Sequence, residues 1–471
     1  MLKKPMNSIS NKSFIPEKKS LQIFFILVAL IFSYENCYAK DYNIEVEIPG
    51  LENKKCVLGY YFGKSTYKLD SACFDQKGHV QFRGNEIHEG IFFVILDNKS
   101  YFNFLIGEEK QFKITGQLPD LIKGMIVTGS EITGDYIAYQ QKLIQEESLR
   151  AKASEVFIKT RSRDSVEYYQ KEIENLKEQS QSFRQFLIRK HEENYLGTYL
   201  KALDFPEKSR DSKQEITTTR DKLFHNVTFS DPRILYAPIF FEKIDLYFTR
   251  IIPLNTCTIK KEINWLLKES KVSLPVYQFI VQYLLDNYSP SRGYRYWPVF
   301  TFLVQDVLLT DDITWLSNER LQALEKEAKG IENLLPDNTA PDLLLETWKG
   351  KKLSLHELLA ENIILYFWDP WCTHCKEITS YLKKLDSEYP PEELKIYAVY
   401  TGLSKSLWKE YAEREKLNWV HVYDPLMNSN YTRKYRLDAT PLLYYLDENK
   451  HVKGRFENIQ DLKNYFETTN E

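Results

Sequence analysis

A continuous apolar run, Ile363–Trp368, leads directly into Asp369-Pro370-Trp371-Cys372-Thr373-His374-Cys375-Lys376, and this junction restricts the fold more than any other stretch of the chain. An apolar run without alternation is expected of a strand buried on both faces, as in a parallel sheet covered by helices. A helix is expected next, from about Thr373 to Ser387. The two cysteines therefore fall where a strand turns into a helix. The first turn of a helix has unpaired N–H groups and a positive dipole end, and both favour a thiolate. Cys372 sits there and reads as a nucleophile with a lowered pKa. Cys375 lies one turn further on, placed to resolve a mixed disulfide.

Other readings of the pair are weaker. Zinc needs four ligands, and the chain has no second C-x-x-C or C/H pair at the usual spacing. No metal and no cofactor is expected. A purely structural disulfide fits the strand–turn–helix setting less well than a catalytic one. His374, between the cysteines, would stabilise a thiolate and make the disulfide more oxidising; a solvent-facing His with little influence is the alternative. Downstream, Asp438-Ala439-Thr440-Pro441 precedes the apolar run Leu442–Leu446. A Pro directly before a buried strand is consistent with a cis peptide, the alternative being a trans Pro that opens an edge strand.

With 471 residues the chain is too long for one core. Residues 40–134 read as a β domain, an all-β sandwich or small barrel. Its alternating stretches include Tyr42–Ile48, Cys56–Phe62, His79–Arg83, Ile91–Leu96 and Gln111–Thr115, separated by turn signals. Residues 135–333 lose the alternation and gain helical periodicity, as in Val166–His191 and Leu316–Lys329, punctuated by Pro253, Pro275 and Pro298. Residues 334–471 alternate strand and helix patterns. The expected fold class is multi-domain: a β-sandwich-like domain, an α-helical middle domain and a C-terminal α/β domain.

The N-terminus reads as a secretory signal over residues 1–39. Lys18 and Lys19 precede the apolar run Leu21–Phe32, and Cys37-Tyr38-Ala39 offers small residues where a signal peptidase reads. An uncleaved anchor is the alternative. Tyr34, Glu35 and Asn36 before Cys37 disfavour a lipid anchor. Cleavage would remove five lysines and two glutamates, taking the net charge from −3 to −6, which gives no reason to expect nucleic acid as a partner. The expected location is the periplasm or cell envelope, where an oxidising environment makes a retained dithiol catalytic or paired.

The C-terminal domain resembles the thioredoxin-like thiol-disulfide interchange proteins of the TlpA and ResA type. The resemblance covers roughly residues 336–471. It is carried by Trp371-Cys372-x-x-Cys375-Lys376, by Thr440-Pro441 before a strand, and by Thr339-Ala340-Pro341-Asp342 followed by Leu353-Ser354-Leu355. It implies a thioredoxin fold and a cis Pro441 against the cysteines, with the backbone of Thr440 pairing with a substrate chain. Upstream, Gly50-Leu51, Leu69-Asp70-Ser71, Lys77-Gly78 and Gly129-Ser130 resemble the β domain of exported Bacteroidetes proteins with this three-part arrangement. Tyr277–Tyr288 and Trp297–Leu309 resemble their helical domain.

Three positions depart from the family pattern. Tyr366 stands where thioredoxin has a buried Asp, Ile378 where related exported reductases often have a Glu, and Ser380 where a helix-kinking Pro is usual. Glu377 is one residue from the Glu position, about 100° around a helix. Glu377, His374 and water remain the candidate bases for Cys375.

Among the other cysteines, a hairpin loop at Gly63–Thr66 would put Cys56 opposite Cys73, bonded or as two buried thiols, whereas Cys257 is expected in a core. Tyr294-Arg295-Tyr296-Trp297 reads as a core or domain-interface segment ahead of a ligand site. The leading function is an exported thiol-disulfide oxidoreductase, reductase favoured, exchanging disulfides with envelope proteins and re-reduced by a membrane electron donor. A homodimer is open. One alternative is an envelope binding or assembly protein in which the dithiol is secondary. Another is a thiol peroxidase, disfavoured because Asp369, not Thr, stands three residues before Cys372.

Overall fold

The computed structural model describes residues 41–97, 99–160, 163–205, 216–310 and 313–469; the stretch read as a signal peptide, residues 1–39, lies outside them. The chain divides into two units at Leu246/Tyr247. The helical stretch read as one domain is therefore shared, residues 135–246 going with the β strands and 247–333 with the C-terminal α/β part.

The first unit begins with eight strands: β1 Tyr42–Glu47, β2 Lys55–Phe62, β3 Ser65–Cys73, β4 His79–Gly84, β5 Gly90–Leu96, β6 Tyr101–Ile106, β7 Gln111–Thr115 and β8 Ile126–Thr128. They form two four-stranded sheets, ordered β4-β1-β7-β8 and β3-β2-β5-β6. Alternation dictates the layering. Tyr42, Ile44 and Val46 of β1 are buried while Asn43, Glu45 and Glu47 reach solvent. The Phe104 ring of β6 meets Phe112 of β7 edge-on at 6.1 Å, so the sheets face one another across aromatic side chains.

β5 breaks the alternation, with Gly90 to Val94 all buried. Its outer face is covered by a helical turn at Pro232–Tyr236. Tyr236 stacks on His88 at 3.8 Å, and a Cβ on Gly90 would come within 2.7 Å of the Tyr236 Cβ. The helices are α1 Glu131–Thr160, α2 Arg163–Lys190, α3 Tyr195–Ala202, α4 Ile216–Phe224 and α5 Pro238–Leu246. The hydroxyl of Thr133 at the start of α1 donates to Leu105 O at 2.8 Å, tying the helix to β6.

The β2–β3 hairpin corrects the expected cysteine pairing. Its turn is tighter than a loop at Gly63–Thr66: Phe62 pairs with Ser65, and one irregularity between Leu58 and Gly59 puts Cys56 opposite Ala72. Successive side chains on a strand point to opposite faces. Cys56 is buried and Cys73 exposed, and both are free. Burial pushes the Cys56 thiol up to about 11. Cys257, expected in a core, is also exposed and free; it is the second residue of the helix Thr256–Ser270, on the face turned from buried Ile259 and Ile263.

The second unit opens with α6 Thr256–Ser270, α7 Leu274–Asn287, α8 Trp297–Phe302 and α9 Asn318–Glu332. Its sheet comprises β9 Leu344–Thr347, β10 Lys352–Ser354, β11 Asn362–Trp368, β12 Leu394–Tyr400, β13 Val420–Tyr423, β14 Leu442–Asp447 and β15 Val452–Phe456. The strand order is β10-β9-β13-β12-β11-β14-β15. β11 runs parallel to β12 and antiparallel to β14. Helices α10 Thr373–Glu388, α11 Lys405–Arg414, α12 Tyr431–Lys434 and α13 Ile459–Thr469 complete it. Ile364, Tyr366 and Trp368 share one core with Cys375, Ile378, Leu382 and Leu385 of α10.

Tyr294–Trp297 joins the helices to this sheet. Trp297 is buried and donates its indole N–H to Pro290 O at 3.2 Å, and the Tyr294 hydroxyl donates to Leu334 O at 2.9 Å. The Arg455 guanidinium of β15 lies 5.2 Å over the Trp297 ring. The connecting segment pairs with β15: Asp337 N–H donates to Val452 O, Val452 N–H to Asn338 O and Ala340 N–H to Lys450 O, all at 2.9 Å. Among the described residues no helix is long and apolar enough to cross a membrane.

His421 of β13 is buried among aromatic rings, stacked on Trp348 at 4.5 Å and about 6 Å from Trp368, Trp408 and Trp419. Burial pushes its pKa down to about 4, partly offset by its Nε2 contact with Leu417 O. The unfolded chain takes up this proton below about 6.5, whereas the folded chain resists until about pH 4. Stability from this site is therefore full above pH 6.5 and is lost as pH falls toward 4, by on the order of 3 kcal/mol. In urea melts at pH 7 and 4.5, His421→Phe is expected to lose markedly less stability between the two pH values than the parent chain.

Candidate active site

β11 ends at Trp368, and Asp369 shapes the turn that follows. Its carboxylate accepts the Trp371 N–H at 2.8 Å and its carbonyl accepts the Cys372 N–H at 3.1 Å. Asp-Pro is a turn-forming dipeptide, so this role had a signal in the sequence that went unused. Gly402, in the loop after β12, is a second residue that sequence reasoning missed. A Cβ there would collide with the Tyr400 ring and come within 2.7 Å of the Asp369 carboxylate, so this loop packs directly on the cysteine turn.

Cys372 is the N-cap of α10, in extended conformation with φ −73° and ψ 117°. Its Sγ accepts the N–H of Cys375 at 3.1 Å. A sulfur occupying the place of a capping oxygen is held against the free N–H groups of the helix. Its own S–H points to the carbonyl of Thr440 at 3.4 Å, the Thr440–Pro441 peptide being cis. Cys372 is partly exposed; Cys375 is 1% exposed.

Burial pushes the Cys375 thiol up to about 12, with further upward push from its contact with Cys372. The Asp369 backbone N–H and the Thr440 side chain act in the opposite direction. Tyr366, in the place of thioredoxin's buried Asp, donates its hydroxyl to Cys375 O at 3.0 Å and contacts the Thr379 hydroxyl at 3.2 Å. Burial raises its pKa well above the ordinary value, so it stays neutral and supplies no base. His374 and Glu377 are both exposed. α10 buries Cys375, Ile378, Thr379 and Leu382, a spacing that turns residues 374 and 377 outward. Neither bonds to a sulfur among the described contacts, so the polar groups at Cys375 come from Asp369 and Thr440. Trp371 is 71% exposed.

Residues 336–455 match the family model described as AhpC/TSA family, and residues 42–136 match one described as a domain of unknown function, DUF4369. The C-terminal domain is thioredoxin-like, and the curated relatives it resembles are named thioredoxin-like protein or thiol-disulfide oxidoreductase. Thioredoxin-like protein YneN of Bacillus subtilis is 29% identical over 144 residues, 29% of this chain and 76% of that protein. Thiol-disulfide oxidoreductase ResA of Bacillus subtilis is 28% identical over 95 residues, covering 20% of this chain; the chain thus spans about half, 53%, of ResA. Among solved structures, a thioredoxin-like protein from Bacteroides caccae is 20% identical, covering 56% of this chain and 96% of its own, with a TM-score of 0.42. The thioredoxin domain of a thiol-disulfide oxidoreductase from Bacteroides vulgatus is 23% identical, covering 28% and 96%, with a TM-score of 0.27.

The two thiols should differ sharply in reactivity. Burial disfavours the Cys375 thiolate and also shields its sulfur from reagents, whereas Cys372 is partly exposed. With the reduced full chain at pH 7.5, iodoacetamide is expected to label Cys372 rapidly and Cys375 hardly at all, read by peptide mass mapping over time. Equal labelling rates would contradict the buried setting of Cys375.

Proposed function

We propose that the chain is an exported thiol-disulfide oxidoreductase that reduces disulfides in proteins of the cell envelope. The observation that carries this reading is the capping sulfur of Cys372, partly exposed and aimed at Thr440 O, with Cys375 buried one turn behind it. The Cys372 thiolate attacks one sulfur of a substrate disulfide. That S–S bond breaks, a mixed disulfide forms, and the departing substrate thiolate takes a proton. Cys375 then loses its proton and attacks Cys372 Sγ, releasing the second substrate thiol and leaving a Cys372–Cys375 disulfide. Two electrons have passed to the substrate, so a dithiol donor on the membrane side must restore the reduced pair. The backbone of Thr440 and the cis Pro441 would align the substrate chain, and Trp371 would flank it.

Resolution is the demanding step, because burial disfavours the Cys375 thiolate. Its rate should rise about tenfold per pH unit over the neutral range. The Asp369 N–H and Thr440 side chain favour the thiolate, and water can carry the proton out. His374 would affect the pair only from its solvent side.

Insulin reduction by the full chain tests the reading. Wild type is expected to be active, Cys372→Ser inactive, and Cys375→Ser to accumulate a mixed disulfide visible on non-reducing gels. Equal activity of wild type and Cys372→Ser would overturn it. Equilibration with glutathione gives the direction: a potential near about −270 mV supports reduction and one near about −120 mV oxidation. Peroxide oxidising Cys372 much faster than a free thiol would instead point to a peroxidase.

A further inference from the structure

Four large apolar side chains stand in solvent on the loops that follow β11, β12 and β13. Trp371 is 71% exposed, Leu403 77%, Leu426 77% and Met427 46%. Their placement follows from the sheet. β11, β12 and β13 are parallel neighbours, with Trp368 beside Tyr400 and Tyr400 beside Tyr423. Trp371 follows the end of β11 by three residues, Leu403 that of β12 by three, and Leu426 and Met427 that of β13 by three and four. All four therefore emerge at the end of the sheet that carries the dithiol.

The loops bearing them are held in place. Thr401 donates its N–H and its hydroxyl to Trp368 O at 3.0 and 3.1 Å. The Tyr423 hydroxyl donates to Leu403 O at 2.7 Å. The Asp424 carboxylate accepts the N–H groups of Asn428 and Ser429 at 3.1 and 2.8 Å, closing the loop around Leu426 and Met427. The contact of Gly402 with the Asp369 carboxylate brings Leu403 up to the cysteine turn. With strands about 4.8 Å apart, the row extends about 10 Å from β11, the length of three residues of extended chain.

We propose that this row is a specificity surface for the dithiol, binding an extended polypeptide segment that carries apolar side chains within a few residues of its cystine. The inference rests on the thiol–disulfide reading above and names its substrate class. In the proposed exchange Cys372 attacks a disulfide sulfur, so a substrate that covers the adjoining row must bring a disulfide with it. A small disulfide spans Cys372 alone and leaves the row in water. A folded protein keeps most of its large apolar side chains inside. An unfolded or partly folded chain presents apolar residues and cystine together, and burying exposed apolar surface is favourable. The hydrogen-bonded loops present the row already formed, so binding orders little of this protein.

The test compares three disulfides on the full chain: a cystine peptide with leucines flanking each half, the same peptide with serines in their place, and 2-hydroxyethyl disulfide. Wild type is expected to show a KM for the leucine peptide at least about fivefold below that for the serine peptide, the value of partly burying one or two leucines. Leu403→Ser/Leu426→Ser is expected to lose that preference while reducing 2-hydroxyethyl disulfide within about twofold of wild type. Both positions are exposed, and the single variants Leu403→Ser and Leu426→Ser are measured alongside, each expected to lose part of the preference. No peptide preference in wild type overturns the proposal. So does an equal loss on all three disulfides, which would mean that the loops act on the dithiol itself. Failure of wild type to reduce 2-hydroxyethyl disulfide any faster than Cys372→Ser would instead overturn the thiol–disulfide reading on which it rests.

Discussion

The contact between Cys372 Sγ and the Cys375 N–H, 3.1 Å long, ties the start of a helix to the sulfur on which the proposed chemistry rests. A helix that starts directly after a buried strand leaves N–H groups needing acceptors. Here the acceptor is the sulfur to which the proposed function assigns the attack. Asp369 sets the turn that delivers it, and Tyr366 holds the Cys375 carbonyl from beneath. The Cys372 sulfur is thereby positioned by backbone hydrogen bonds alone, with no charged side chain bonded to it among the described contacts. The exposed imidazole of His374 follows from the same geometry, since the helix turns its buried face toward Ile378 and Leu382.

The departures from thioredoxin's usual surroundings have a common effect. Replacing a buried carboxylate by the Tyr366 hydroxyl removes a charge from beneath the dithiol and adds one donor to the helix. A buried carboxylate costs desolvation and holds a proton near the second cysteine; a phenol does neither. Cys375 is left with neutral partners, so proton release there depends on local dipoles and solvent. In the proposed exchange it is the resolving step at Cys375, not the attack by Cys372, that burial opposes.

The C-terminal domain was legible because its signals are local. The unbroken apolar run of β11, the cysteines at a helix start and Thr440-Pro441 before β14 each lie within about ten residues. The outward placement of His374 and Glu377 was also written in the apolar spacing of α10. Other features depend on contacts made far along the chain. β5 reads as alternating but is buried on both faces, because Tyr236 arrives from more than a hundred residues later. The Cys56 register failed on a tighter turn and one irregularity, since a shift of one residue reverses the face of every side chain. The split of the helical stretch depends on packing between residues far apart in the chain, and periodicity within a helix carries no such information.

The backbone pairing of Asp337, Asn338 and Ala340 with β15 concerns the outer margin of the sheet. A strand there would otherwise show a row of unsatisfied N–H and C=O groups, a template for pairing with another chain. The segment that looks like a mere tether is bonded to the start of β15, so the helices before it are tied to the sheet at its rim. Cutting the chain just after Asn338 would therefore free the N–H and C=O of Val452 at the start of that edge, whereas a cut ahead of Leu334 would keep them paired.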